Sequence, residues 1–159
     1  MKLSAHGIEV TLPPRWSGRI FARAAGNATL HAGDFRLALG DGEFGDGSTA
    51  QMPPGSAFVA LVEYLPGAGL EPGRGLYAPN RIRLPLDPTA FAPRNLAHIR
   101  PGQEGAQEFF TAAGRPMCLY VVIAAGGDRL VRRRQLAVLD RVLGSLRVVP
   151  PGATTSLPV

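Results

Sequence analysis

The chain has 159 residues, with 17 Lys and Arg against 12 Asp and Glu for a formal charge of +5, and it carries 20 Gly and 15 Pro. Its 45% hydrophobic content excludes a disordered chain, its one cysteine an internal disulfide framework, and its aperiodic glycines a collagen helix. No apolar run approaches the ~20 residues of a membrane helix, which leaves a globular domain expected over residues 1–149 and a flexible tail over 150–159.

Residues 8–12 alternate apolar Ile8, Val10 and Leu12 with Glu9 and Thr11, the period of a half-buried strand. Pro13 and Pro14 end it, because proline removes a backbone donor. A second strand is expected from Arg19 to Ala24. Gly26 and Asn27 turn it into a third from Thr29 to Phe35. Residues 40–56 carry Gly and Pro with no hydrophobic period, so they read as an irregular loop in which no helix begins. Residues 57–64 follow as the strongest strand. Phe58, Ala60, Val62 and Tyr64 face one way and Val59 and Leu61 the other, which predicts a central strand covered on both sides.

A second Gly/Pro loop fills 65–78, and Arg81-Ile82-Arg83-Leu84 reads as a short strand. Asp87-Pro88 has the form of a helix start, and residues 94–99 hold room for one or two helical turns. Residues 107–112 and 117–124 form the best hairpin, with turn chemistry at Ala113-Gly114-Arg115-Pro116. From Arg129 to Leu146 the period becomes helical. Leu136, Leu139, Leu143 and Leu146 make one stripe, Asp128 is the candidate N-cap, and residues 147–149 suggest a last short strand. The expected fold is α+β: a mostly antiparallel sheet of about six strands with the C-terminal amphipathic helix packed on one face. The other face is also apolar. Long loops, a short helix near 94–99 or a second subunit would have to cover it.

Lys2 is the only lysine, so the basic charge is carried by 16 arginines. With abundant Ala, Gly and Pro this is the pattern of GC-rich coding. The positive field still favours anionic partners. The N-terminus has no continuous apolar stretch of signal-peptide type, so the expected compartment is the cytoplasm, with export only as part of a larger assembly as the alternative. Cys118 lies in an apolar run and reads as a buried structural thiol.

The run Gly7-Ile8-Glu9-Val10-Thr11-Leu12-Pro13-Pro14-Arg15-Trp16-Ser17-Gly18-Arg19-Ile20 resembles the opening of uncharacterised small proteins of actinobacterial type. Phe58 to Tyr64 and Arg115 to Val122 resemble their other shared blocks. The resemblance spans about residues 7–148 and implies no activity. More distantly, a strand, a Leu-Pro-x-x-Trp segment, an antiparallel sheet and a late helix are similar to the PsbP/Mog1-like fold. That likeness implies an adaptor or assembly role rather than catalysis.

Several constellations invite chemistry. Asp41, Glu43 and Asp46, with Asp34 nearby, place carboxylates in a glycine-rich loop, where calcium would need six to eight oxygens. The spacing is not that of an EF-hand, and the loop reads as a solvated turn. Gly40, Gly42, Gly45 and Gly47 precede no Lys-Ser/Thr pair, so a phosphate loop is not expected. His6, His31 and His98 share no metal-ligand spacing, and no serine sits in a Gly-x-Ser-x-Gly elbow. No catalytic residue, metal or cofactor is assigned. Arg129, Arg132, Arg133, Arg134 and Arg141 crowd the last helix and its start, as an anion-facing patch or as the solvated face of that helix. Trp16, Phe44 and Tyr77 stand in predicted loops as interface aromatics or as covers for the sheet ends, Trp16 more as core edge. The leading expectation is a non-enzymatic protein-interaction or assembly module, with a protein partner or a homo-oligomer. The alternatives are a small enzyme whose carboxylates and histidines are gathered by folding, and a nucleic-acid binder using the arginine helix.

Overall fold

The computed structural model describes residues 1–24, 27–65 and 71–150. The expected turn residue Gly26, part of the 65–78 loop and the expected flexible tail beyond Pro150 lie outside the described residues.

Among the described residues, eight strands and one long helix make an α+β fold. The strands divide between two antiparallel sheets. In the first, β1 (Lys2–Ala5) pairs with β2 (Ile8–Thr11), and β2 pairs with β8 (Arg147–Val148). The second has the order β3-β4-β5-β7-β6, built from β3 (Ser17–Ala22), β4 (Ala28–Gly33), β5 (Ala57–Glu63), β7 (Arg115–Ile123) and β6 (Glu104–Ala112).

β1 has no sequence signature of its own. It exists because His6 and Gly7 both adopt positive φ (51° and 76°), the geometry of a two-residue turn that matches strand twist. The same device joins β6 to β7. Ala113 and Gly114, at φ 50° and 73°, make the turn alone, while Arg115 and Pro116 already belong to β7.

Ile8 and Val10 from the first sheet, with Leu12 just past β2, meet Leu30, Val59, Leu61, Leu119, Val121 and Ile123 from the second in one core. The helix α2 (Arg129–Gly144) adds Leu136, Leu139 and Leu143 of the expected stripe together with Val142, while Leu146, expected as its last member, lies past the helix end and packs partly buried against the same core. Leu139 is fully buried, a side chain whose removal from water stabilises by about 1.5–3 kcal/mol. Asp128 is the N-cap: its carboxylate accepts from Leu130 N at 2.9 Å and Val131 N at 3.1 Å. At the other end the Ser145 hydroxyl accepts the Thr11 N–H at 2.9 Å, tying the helix to β2, while its own hydrogen faces the Val142 carbonyl at 2.6 Å.

The second face of the large sheet is covered by the chain itself. Phe58, Ala60, Tyr120 and Val122 pack against Phe35 and Leu96, with Leu37, Phe44 and Met52 at the margin. The cover therefore comes from the loop after β4 and from the segment around Leu96. That loop is not wholly irregular: a single turn of helix, α1 (Asp46–Thr49), forms where none was expected. Arg81 to Leu84, expected as a strand, is not one. The edge of β6 is occupied instead by the Pro79 carbonyl, which accepts from Thr111 N at 2.8 Å, and by a bridge from Ala92 to Gly105. Residues 94–99 hold one short 3-10 turn, at Pro93–Asn95. Asp87 does cap a turn, Pro88–Ala90, accepting from Thr89 N at 2.9 Å.

Candidate functional site

The acidic loop is organised inward. Asp41 Oδ1 accepts from Gly42 N at 2.9 Å and Gly47 N at 2.8 Å, and Oδ2 accepts from Ser48 N at 2.8 Å. Burial pushes this carboxyl up, but the hydrogen bonds from Ser48, Gly47 and Gly42 together outweigh it and hold it below the usual carboxylate range. Glu43 pairs with Arg23, Asp46 faces His98 at 3.2 Å, and Asp34 accepts from Ala57 N at 2.9 Å. Among the described residues no group of three or more His, Cys, Asp and Glu side chains is placed to hold a metal ion.

His31 and His98 are far apart in character. His31 is fully buried on β4, edge-on to Phe21 at 5.2 Å and beside Phe58 at 5.5 Å. Its Nε2 lies 2.8 Å from the Glu43 carbonyl, which can only accept, so Nε2 carries the hydrogen. Burial lowers its pKa to about 4, with Asp41 opposing and Arg19 adding to the effect. The ring is a neutral strut that holds the 41–48 turn against the sheet. His98 is exposed. Cys118 is buried, and desolvation raises its thiol to about 12, the opposite of what a nucleophile needs.

Of the aromatics expected at interfaces, Tyr77 and Trp16 are buried within the fold and Phe44 is half-buried. Tyr77, expected in an open loop, is 2% exposed and packs edge-on against Phe109 at 5.7 Å and Tyr64 at 6.4 Å. Phe44 is half-buried, with its ring against Tyr120 at 5.6 Å. Trp16 is 8% exposed and belongs to the main core.

The arginines of α2 divide into two sets. Arg134 and Arg141 are exposed and stand outside any described concavity of the helix, whereas Arg129, Arg132 and Arg133 border a groove of about 570 Å³. Its apolar lining comes from Pro85, Leu86 and Pro88 on one side and from Leu136 and Ala137 on the other, with Asp140 at the far end. Two pins fix the walls. Leu86 N donates to Asp140 Oδ1 at 2.8 Å. Arg132 donates to the Pro88 carbonyl and to Glu104 Oε2, the latter at 3.3 Å. Arg129 and Arg133 are exposed, and among the described residues neither forms a salt bridge. The sequence marks these arginines by type. The apolar wall at 85–88 carries no signal, because it is brought to the helix only by the path of the chain.

No family model, curated protein or solved structure matches this chain. No helix among the described residues is long and apolar enough to cross a membrane.

Proposed function

We propose that this chain is a non-enzymatic protein-interaction or assembly module whose contact surface is the groove between α2 and residues 85–88. The observation that carries the reading is the pairing of a fixed apolar floor with two uncommitted arginines, Arg129 and Arg133, in a concavity of about 570 Å³. Apolar area with charged margins is the usual make-up of a recognition surface. The histidine and thiol that an enzyme would use are turned to other ends: His31 is a sealed neutral strut, and Cys118 is desolvated. Neither His31 nor His98 lines this groove. The Leu12-Pro13-Pro14-Arg15-Trp16 segment, similar to that of adaptor and assembly proteins, agrees with the reading. Because loops cover the second face of the sheet, the fold itself does not require a second subunit there.

The test is affinity capture of the tagged chain from its native host after nuclease treatment, then reconstitution with the purified captured protein. A complex of fixed stoichiometry that re-forms from pure components is the expected result. A chain that stays alone at every step, or whose only companions leave with the nucleic acid, would overturn the proposal.

A further inference from the structure

We infer that the α2 groove takes an acidic, extended segment of a partner protein, of the pattern acid-x-acid-x-aliphatic. The inference rests on the interaction-module reading above and adds the chemistry of the partner.

Arg129, Arg133 and Ala137 lie four residues apart along one stripe of α2, all exposed and all lining the groove. At 1.5 Å rise per residue their spacing is about 6 Å along the helix axis. An extended chain repeats its same-side residues at about 6.4–6.8 Å, so alternate side chains of a strand-like segment keep step with this stripe. Two carboxylates would meet the two guanidiniums, whose planar forks suit carboxylates bidentately. The third same-side residue would lie on Ala137 and the apolar floor.

The charge pattern gives the groove a direction. Arg132, between the two free arginines, is already engaged by Pro88 and Glu104 and serves as wall. Beyond the apolar floor, the Asp140 carboxylate repels acid. A nucleic-acid strand, negative along its whole length, would meet that carboxylate, and the groove has no aromatic residue on which a base could stack. A segment acidic at one end and apolar after it satisfies both ends.

The test is fluorescence anisotropy with the labelled peptide Gly-Glu-Ser-Glu-Ser-Leu-Gly, its Gln-for-Glu analogue and a short oligothymidylate, at about 0.15 M salt, where distant surface charges are largely screened. The double variant R129E/R133E is expected to weaken the acidic peptide by roughly tenfold or more. Ala137→Trp blocks the floor without changing charge and is expected to do the same. The pair R134E/R141E makes the same change in net charge outside the groove and is expected to leave binding unchanged. Circular dichroism confirms that each variant is folded. Equal weakening by both charge-reversed pairs overturns the site, since only the overall field would then matter. Tighter binding of oligothymidylate than of the acidic peptide, or no preference for Glu over Gln, overturns the ligand class. A reconstituted partner that binds R129E/R133E as well as the wild-type chain overturns this inference and the groove as contact surface, while the complex itself still supports an interaction module. Failure to find any partner overturns that reading itself.

Discussion

Replacing Arg115 by leucine is expected to be among the most damaging single changes outside the apolar core. The side chain is 4% exposed, yet its guanidinium holds three separate parts of the chain. Nε donates to the Glu63 carboxylate at the end of β5. Nη2 donates to the His6 carbonyl at 2.9 Å in the β1–β2 turn, and Nη1 to the Val149 carbonyl at 3.1 Å just after β8. One residue of the large sheet therefore clamps one end of the small one, where the β1–β2 turn lies beside the end of β8 and Val149 N donates to the Gly7 carbonyl at 2.9 Å. Glu63 would keep only the Ala28 N–H at 3.2 Å, while its side chain is 14% exposed. Removing one member of a buried ion pair costs about 3–5 kcal/mol, because the remaining charge is left uncompensated. For a chain of this length that is a fall in melting temperature of about 6–20 °C. Urea titration of the wild type, Arg115→Leu, Glu63→Gln and the double variant gives the coupling directly. The double variant should recover part of the loss, since the orphaned carboxylate is gone. A loss below about 1 kcal/mol for Arg115→Leu, or a double variant with strictly additive losses, would refute the reasoning.

Three further outcomes are expected. His31, neutral in the fold with a pKa of about 4 against 6.5 unfolded, binds its proton more readily when unfolded. Stability is therefore whole above pH 6.5 and is lost as pH falls toward 4, by roughly 3 kcal/mol in all. The pH-stability profile of His31→Gln, which keeps a donor toward the Glu43 carbonyl, should flatten in that window, and an unchanged slope would refute the assignment. Gly45→Ala combines a left-handed φ of 69° with a new Cβ only 2.2 Å from Phe58 Cζ, so it should destabilise by about 2–4 kcal/mol in thermal melts. Cys118 should resist an aromatic disulfide reagent in the native protein and react fully in denaturant; rapid native labelling would show that β7 is not sealed as described.

Elements with their own period were legible from the residues alone. The leucine stripe of α2, its Asp128 cap, the two-faced apolar run of β5 and the β6–β7 hairpin all follow from local rules, because each buries a face whose spacing is written along the chain. β1 was not legible. Lys2, Leu3, Ser4 and Ala5 carry no alternation strong enough to announce a strand, and it forms only because the His6-Gly7 turn folds it onto β2. Arg81 to Leu84 failed for the converse reason: a β-like run makes a strand only where its backbone pairs with a neighbour, and beside β6 Arg83 N meets the Glu108 side chain, at 3.4 Å, rather than a backbone carbonyl. The burial of Tyr77 and the clamp at Arg115 depend on partners 30 or more residues away, Phe109, Glu63 and His6 among them. The candidate site is divided in the same way. Its arginines could be read from the sequence as a cationic helix. Which of them are free, which is held by Pro88 and Glu104, and what apolar wall faces them were settled when residues 85–88 were carried across α2. Local sequence determines what an element is. Only tertiary packing, which acts between residues distant in the chain, decides what that element is left to do.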